Sequence, residues 1–194
     1  MADHVYCYPN SDILINKLNI HDGLILQAAE RDLTSRRLVM LQTNPIKGTF
    51  DFLHLKKIHE FIFQDIYSWA GKERTVDIAK SNMFCNVRFI DEQALEIFTN
   101  LKKENLLNGL SREKFTERIT YYFGEVNALH PFREGNGRTQ REFFRELALH
   151  DGYVLDYSGI TKEEMIDASI DSFLRKYDKL AALLNRALSE NEKD

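Results

Sequence analysis

Residues 130 to 141, HPFREGNGRTQR, contain the side chains of this chain that are best suited to chemistry on a phosphate. His130 is followed by Pro131, and proline disfavours helical geometry at the residue before it, so the preceding helix should end near His130. A helix C-terminus favours a protonated imidazole, and histidine titrates close to neutral pH. His130 is therefore our candidate general base.

The stretch EGNGR, residues 134 to 138, has the composition of a tight turn that leads into a helix. Gly135 and Gly137 have no side chain and tolerate positive φ, so an anion could approach the backbone amides between them. The first amides of the following helix would add to such a site. The sequence therefore predicts an anion-binding turn.

Charged residues beside the turn sharpen this prediction. Arg138, Arg141 and Arg145 are spaced at i, i+3 and i+7 on one side of the expected helix. Cations near a helix N-terminus are disfavoured by roughly 0.3–1 kcal/mol each at exposed sites. A bound polyphosphate would make the same positions favourable for a cation. Glu134 is the only carboxylate in the stretch, and Mg²⁺ commonly takes one protein carboxylate plus phosphate oxygens. Each feature alone is more often structural, but together they indicate chemistry on a nucleotide phosphate.

The elements that must position these residues are mainly helices. Apolar periodicity predicts helices over residues 24–41, 52–71, 91–105, 111–130 and 137–152, with one or two more between 156 and 188. Gly71 and Gly152 are expected helix stops, and Ser111 and Thr161 expected N-caps. Residues 74–90, RTVDIAKSNMFCNVRFI, lack a helical period and predict a short β-hairpin. The expected class is an all-α helical bundle with one small hairpin.

Composition limits the possible partners. The chain has 194 residues, 43% of them hydrophobic, which is enough for one domain with a real core. A net charge of -4 argues against broad nucleic-acid binding through phosphate neutralisation. There is no signal-peptide core and no apolar run near the ~20 residues of a membrane span. Cys7 and Cys85 lack metal-ligand spacing, so we expect free thiols in a reducing cytoplasm.

The stretch HPFREGNGRTQR is similar to the signature of Fic-domain proteins, and every specified position of that signature is present. Residues 58–78, IHEFIFQDIYSWAGKERTVDI, resemble an earlier block of the family. Residues 6–20, YCYPNSDILINKLNI, resemble the lead of stand-alone Fic toxins and of secreted bacterial effectors. The resemblance implies a single Fic domain over residues 1–194, with a motif core at about 50–150 and C-terminal helices over 161–188.

The resemblance also implies transfer of AMP from ATP to a Ser, Thr or Tyr hydroxyl of a target protein. His130 would be the base, and Glu134 would bind the Mg²⁺ that accompanies ATP. Asn136 and the amides from Gly135 to Gly137 would hold phosphate oxygens. Arg138 and Arg141 would neutralise the β- and γ-phosphates.

A hairpin called the flap pairs with an extended segment of the target in this family, by β-augmentation. The matching place here is residues 78 to 88. The implied flap residues are Ile78, Ala79, Lys80, Ser81, Asn82, Met83, Phe84, Cys85, Asn86, Val87 and Arg88.

Many Fic proteins carry an inhibitory helix with the motif [ST]xxxE[GN], whose glutamate pairs with the second signature arginine, here Arg141. No Ser or Thr of this chain has a glutamate four places later. We therefore expect inhibition by a separate small antitoxin that docks near the N-terminal helices.

Three readings of function remain open at this stage. The first is a cytoplasmic toxin that adenylylates type II topoisomerases, DNA gyrase and topoisomerase IV. The second is an effector, secreted into a host cell, that modifies small GTPases. The third is a nucleotide-binding module without catalysis. A kinase-like relative would need GNK in place of GNG, and Gly137 argues against it.

Overall fold

The computed structural model describes residues 5–79 and 83–191, and their architecture is mainly helical. Two short strands and two 3₁₀ turns, Val87–Phe89 and Asn105–Leu107, accompany the helices. The α-helices are α1 (Gly23–Thr43), α2 (Phe52–Phe63), α3 (Ile90–Lys103), α4 (Arg112–Leu129), α5 (Asn136–His150), α6 (Lys162–Phe173) and α7 (Asp178–Ala187). The strands are β1 (Tyr153–Leu155) and β2 (Leu188–Glu190). The predicted class is thus confirmed.

Side-chain caps fix where several helices begin. Asp22 accepts hydrogen bonds from two first-turn amides of α1, and Asp51 accepts one at the start of α2. Ser111 caps α4, and Thr161 forms a reciprocal capping box with Glu164 at the start of α6. Each cap satisfies an amide that has no partner inside its helix. The predictions for Ser111 and Thr161 are confirmed.

The helix predicted over residues 52–71 is shorter than expected. It ends at Phe63 and is followed by turns, in which the amides of Ile66 and Tyr67 both donate to the Phe63 carbonyl at 3.0 Å. Gly71 does adopt a left-handed conformation, with φ 79°, but it closes a later turn. The intervening turns place Tyr67 beside Trp69, with ring centroids 4.2 Å apart and nearly parallel.

The predicted hairpin over 74–90 is only partly confirmed. The described part of this segment contains one antiparallel bridge, Ala79↔Met83, followed by the 3₁₀ turn Val87–Phe89. Lys80, Ser81 and Asn82 lie outside the described residues. A sheet that the sequence analysis missed joins β1 and β2 in antiparallel register, with Tyr153 opposite Glu190. Its strands are three residues each and far apart in the chain, so no local turn signal announced the pairing.

The core is aromatic and is centred on α5. Phe143 and Phe144 are fully buried, and Phe143 also meets Phe98 edge to face at a centroid distance of 5.6 Å. Such edge-to-face pairs add to the burial of area. Because α5 packs against α2, α4 and β1, its position is fixed from several sides, while its first turn opens onto a cleft.

Among residues 5–79 and 83–191, no helix combines the length and the apolar character required to cross a membrane.

Candidate active site

The turn between α4 and α5 is closed by one side chain. Asn136 Oδ1 accepts from the Phe132 amide at 2.9 Å, and Asn136 Nδ2 donates to the Phe132 carbonyl at 2.7 Å. α4 ends at His130, as the proline predicted, and His130 itself is in a left-handed conformation, with φ 45° and ψ 59°. Since the Asn136 side chain is committed to the turn, its backbone amide is the part that is suited to meet a ligand.

Gly135 is required at the base of this turn. It has φ 85°, and a Cβ added there would lie 2.2 Å from the Phe63 ring. It is also the N-cap of α5, so no cap side chain covers the first amides of that helix. Gly137, one residue into α5, is exposed. A helix N-terminus of this kind favours an anion.

The His130 imidazole stacks on an aromatic side chain and lies near a backbone carbonyl. Its ring lies parallel to Phe84 of the flap segment, with centroids 3.7 Å apart. Its Nδ1 is 3.3 Å from the Asn127 carbonyl. A tautomer with the proton on Nδ1 donates to that carbonyl and leaves Nε2 as the proton acceptor.

Arg74, which the sequence analysis did not single out, ties the flap segment to His130. Its guanidinium is fully buried and donates to the carbonyls of His130 and Val76, each at 2.9 Å, and to the Cys85 carbonyl. Its own amide donates to the Pro131 carbonyl at 2.8 Å. Burial lowers the pKa of this guanidinium, and the nearby Asp77 opposes that effect. The backbone of the candidate base is therefore fixed by hydrogen bonds from a separate segment.

The two signature arginines have different surroundings. Arg138 Nη2 donates to Glu30 of α1 at 2.5 Å and lies 3.5 Å from Glu134. No described carboxylate forms an ion pair with Arg141, and burial lowers the pKa of its guanidinium. A desolvated cation with no acidic partner is a strong site for an anionic ligand.

Arg145 does not belong to the site. It donates to both oxygens of Glu142, at 2.9 and 2.6 Å, and to the Leu41 carbonyl at 3.2 Å. Of the three arginines that share one side of the predicted helix, the structure brings Arg138 and Arg141 to the cleft.

Glu134 has the surroundings of a metal ligand that acts together with phosphates. Its Oε1 accepts from the Gly135 amide at 2.8 Å, and its side chain is half exposed beside Arg138. Within the described residues there is no cluster of three His, Cys, Asp or Glu side chains that could hold a metal ion. Mg²⁺ commonly binds one or two carboxylates and completes its shell with water and phosphate oxygens. Glu134 fits that requirement.

His59 is a second residue that the sequence analysis missed. Its Nδ1 accepts from the Gly71 amide at 2.8 Å, and its Nε2 donates to the Glu134 carbonyl at 3.0 Å. The ring stacks on Phe132 at 3.9 Å between centroids. Burial lowers the pKa of His59 to about 3, opposed by the bond to the Glu134 carbonyl. The neutral ring therefore fixes the backbone next to the Glu134 carboxylate.

Two cavities meet above the turn. A cleft of about 1060 Å³ extends over Glu134, Arg138 and Arg141 towards α1 and the start of α6. A smaller cavity of about 220 Å³ is lined by His130 and by mostly apolar side chains. Gly137 and Arg141 line both. The pair suits an elongated ligand with a polyanionic part over the turn and a flat, less polar part beside His130.

Both the family model and the similar proteins assign the chain to one family. The Fic/DOC family model matches residues 49–148. The chain is 43% identical to the protein adenylyltransferase VbhT of Bartonella schoenbuchensis over 95% of its own length and 39% of that protein. It is 37% identical to the probable protein adenylyltransferase Fic of Salmonella typhimurium, over 95% of the chain and 92% of that protein.

Solved structures agree with this. The Fic domain of a Bep effector from Bartonella quintana, with bound ADP, matches at TM-score 0.94 and 30% identity, over 99% of this chain and 98% of that one. BepC of Bartonella tribocorum, with bound AMPPNP, matches at TM-score 0.90 and 26% identity, over 95% and 96%.

Replacing Gly135 by alanine tests whether the turn needs a bare backbone. Gly109→Ala is the matched control, because Gly109 also has a left-handed φ of 79° but no described atom within 4 Å of an added Cβ. Gly109→Ala should cost about 1–2 kcal/mol in urea unfolding, from the backbone alone. Gly135→Ala should cost about 1–3 kcal/mol more, from the clash with Phe63, and should weaken ADP binding. Equal unfolding costs with unchanged ADP binding would contradict the role of Gly135.

Stability should depend on pH through His59. The unfolded chain binds this proton near pH 6.5, whereas the folded chain resists it down to about pH 3. The stabilisation is therefore complete above pH 6.5 and is lost as the pH falls towards 3. Between pH 7 and pH 5 the unfolding free energy should fall by about 2 kcal/mol from this group. His59→Gln should remove that part of the slope in urea titrations, and an unchanged slope would show that His59 is accessible to protons.

Proposed function

The chain belongs to the Fic/DOC family and is an enzyme of the protein adenylyltransferase class, and we propose that it transfers AMP from ATP to a Ser, Thr or Tyr hydroxyl of a target protein. One observation carries the proposal most directly. Arg141 is a partly buried cation without a described acidic partner, at the junction of two cavities and close to the glycine turn. A nucleotide phosphate supplies the missing negative charge.

The proposed placement of ATP follows the two cavities. The nucleoside would occupy the smaller one, among Phe84, Phe123, Met165 and Phe173, with Asn127, Gln140 and Ser169 as polar neighbours. The phosphates would lie over the first amides of α5, with Arg138 and Arg141 as donors. Mg²⁺, bound to Glu134 and to phosphate oxygens, would neutralise charge on the phosphates. Glu134 is suited to this because it points into the cleft beside the turn.

His130 would act as the general base. Its Nε2 would take the proton of the target hydroxyl as that oxygen attacks the α-phosphorus. The bond from the α-phosphorus to the oxygen that bridges to the β-phosphate would break, and diphosphate would leave. Nucleotidyl transfer needs positioning and charge compensation, and the fixed backbone on both sides of His130 provides the first of these.

Residues 78 to 88 are proposed to hold an extended segment of the target next to His130. Ala79 and Met83 form an isolated antiparallel bridge, and the backbone beside this bridge is where a target strand would pair. Phe84 reaches from this segment onto the His130 ring, which brings a docked segment close to the base.

The first proposed role is that of a bacterial toxin that acts on type II topoisomerases in its own cytoplasm. The resemblance to stand-alone Fic toxins supports this role. A second candidate is a host-directed effector that acts on small GTPases, which is favoured by the likeness to Bartonella proteins described as translocated effectors.

Labelled ATP separates these candidates. With bacterial lysate, label from the α-phosphate should appear on a band of topoisomerase size, and label from the γ-phosphate should not. Label only in host-cell lysate, at the size of small GTPases, would favour the effector. His130→Ala should lower transfer by about 10²–10⁴-fold while ADP still binds, since that is the usual contribution of a general base.

His21→Ala is the control, because His21 lines neither of the two cavities and contacts Asn19 and Tyr8. Arg141→Ala should weaken ADP binding, whereas Arg36→Ala, which removes an exposed partner of Asp32, should not. Transfer that survives in His130→Ala would refute the assigned base. Label from the γ-phosphate would indicate a kinase, and binding of ATP without any transfer would indicate a catalytically silent module.

A separate inhibitor is proposed to dock in the larger cleft. That cleft extends from Arg141 past Leu26 and Gln27 of α1, and the first turn of α1 exposes Leu24 and Ile25 beside it. A tagged chain isolated from its own organism should retain a small protein with the motif [ST]xxxE[GN], and the complex should not transfer AMP. Changing the motif glutamate to glycine should restore transfer. A purified chain that is inactive without any partner would count against this regulation.

A further inference from the structure

The guanidinium of Arg138 is held by side chains that come from outside its own turn. Its Nη2 donates to Glu30 Oε1 at 2.5 Å, and its Nη1 donates to Thr34 Oγ1 at 3.1 Å. Both partners lie on α1, which precedes the residues matched by the family model. We propose that Glu30 is a positioning residue that orients Arg138 before a nucleotide binds. The inference rests on the proposed function, because it takes Arg138 as a phosphate contact.

Both carboxylate oxygens of Glu30 are engaged. Oε1 accepts from Arg138, and Oε2 accepts from the Tyr67 hydroxyl. Tyr67 is fully buried, and burial together with Glu30 raises the pKa of its phenol, so the hydroxyl stays protonated and donates. Thr34 donates its own hydroxyl proton to the Glu30 carbonyl at 2.7 Å and keeps a lone pair for Arg138. The network therefore has one consistent set of donors and acceptors.

A second contact places the Arg138 guanidinium against an aromatic ring. The group lies 4.8 Å above the centre of the Phe63 ring, and the same ring closes the space at Gly135. Phe63 thus supports the guanidinium from one side, and Glu30 accepts a hydrogen bond from its Nη2. A guanidinium group that is already oriented loses less side-chain conformational freedom when it binds a phosphate.

The two arginines differ in how much of their charge is balanced by nearby carboxylates. The side chains of Glu30 and Arg138 are 13% and 23% exposed, so their mutual attraction is only weakly screened, and Glu134 lies 3.5 Å from the same guanidinium. The charge of Arg138 is therefore largely balanced in the free protein, and its value to a ligand is directional. Arg141 has no described acidic partner and supplies net charge.

The opposite role for Glu30 would be that of a competitor that a phosphate must displace from Arg138. The two roles predict opposite changes in nucleotide affinity when Glu30 is removed. A competitor would weaken nucleotide binding in the wild type, so its removal would strengthen binding. A positioning residue would strengthen binding, so its removal would weaken it.

Titration calorimetry of the whole chain with Mg²⁺–ADP and Mg²⁺–AMPPNP distinguishes these roles. Glu30→Ala should weaken AMPPNP binding by about tenfold, since it removes a hydrogen bond to a charged group. Glu30→Gln should bind AMPPNP within about threefold of the wild type. Its amide oxygen can accept from Arg138, while its NH₂ donates to the Tyr67 oxygen. Asp32→Ala is the control, because Asp32 lies on α1 but pairs only with the exposed Arg36.

A double-mutant cycle tests whether Glu30 acts through Arg138. In an Arg138→Ala background, adding Glu30→Ala should weaken binding by about twofold or less, because the group that Glu30 orients is gone. In an Arg141→Ala background, Glu30→Ala should keep its full effect. A general loss of structure would weaken binding in both backgrounds alike.

Tighter or unchanged binding in Glu30→Ala, with weaker binding in Arg138→Ala, would overturn the positioning role but leave the proposed function in place. The positioning role would also be overturned if Glu30→Ala weakened binding as much in the Arg138→Ala background as in the wild type. Unchanged binding in both arginine variants would instead refute the proposed phosphate contacts. If Glu30→Ala does not fold, Thr34→Val carries the test, because it removes the Nη1 acceptor at nearly constant volume and should couple to Arg138 in the same cycle.

Discussion

The geometry of the site depends on how the turn between α4 and α5 is closed. Two hydrogen bonds from the Asn136 side chain to the Phe132 backbone bring the ends of the turn together. Gly135 then lies against the Phe63 ring, where no side chain would fit. With the turn closed, the N-terminus of α5 and the imidazole of His130 face neighbouring cavities. One buried amide side chain thus fixes the N-terminus of α5 relative to the segment that follows His130.

Much of the site could be predicted because its residues are contiguous. Pro131 marks the end of α4, the glycines mark the turn, and Glu134, Arg138 and Arg141 follow at fixed spacing. The residues that hold this segment in place could not be predicted in the same way. Glu30, His59 and Arg74 come from three other parts of the chain, and each reads locally as an ordinary member of a helix or a loop. Their roles arise from contacts that no local pattern encodes.

The same limit explains the errors in the fold. Apolar periodicity continues past Phe63, but Ile66 and Tyr67 are buried through turns rather than through further helix. The β1–β2 pairing joins segments that are far apart, so its register depends on how α5 and α7 pack. Helices with strong caps, such as α6 behind Thr161, were predictable because cap and helix are neighbours in sequence.

The left-handed backbone of His130 depends on contacts from Arg74 and from residues 84 and 85. A non-glycine residue in this conformation is strained, and such strain persists only when surrounding contacts determine it. Arg74 provides those contacts, because its buried guanidinium donates to the His130 carbonyl and to the Cys85 carbonyl of the flap. Phe84, the neighbour of Cys85, stacks on the imidazole of His130. Residues 84 and 85 therefore contact His130 both at its ring and, through Arg74, at its carbonyl, so the position of this segment and the orientation of the imidazole depend on each other.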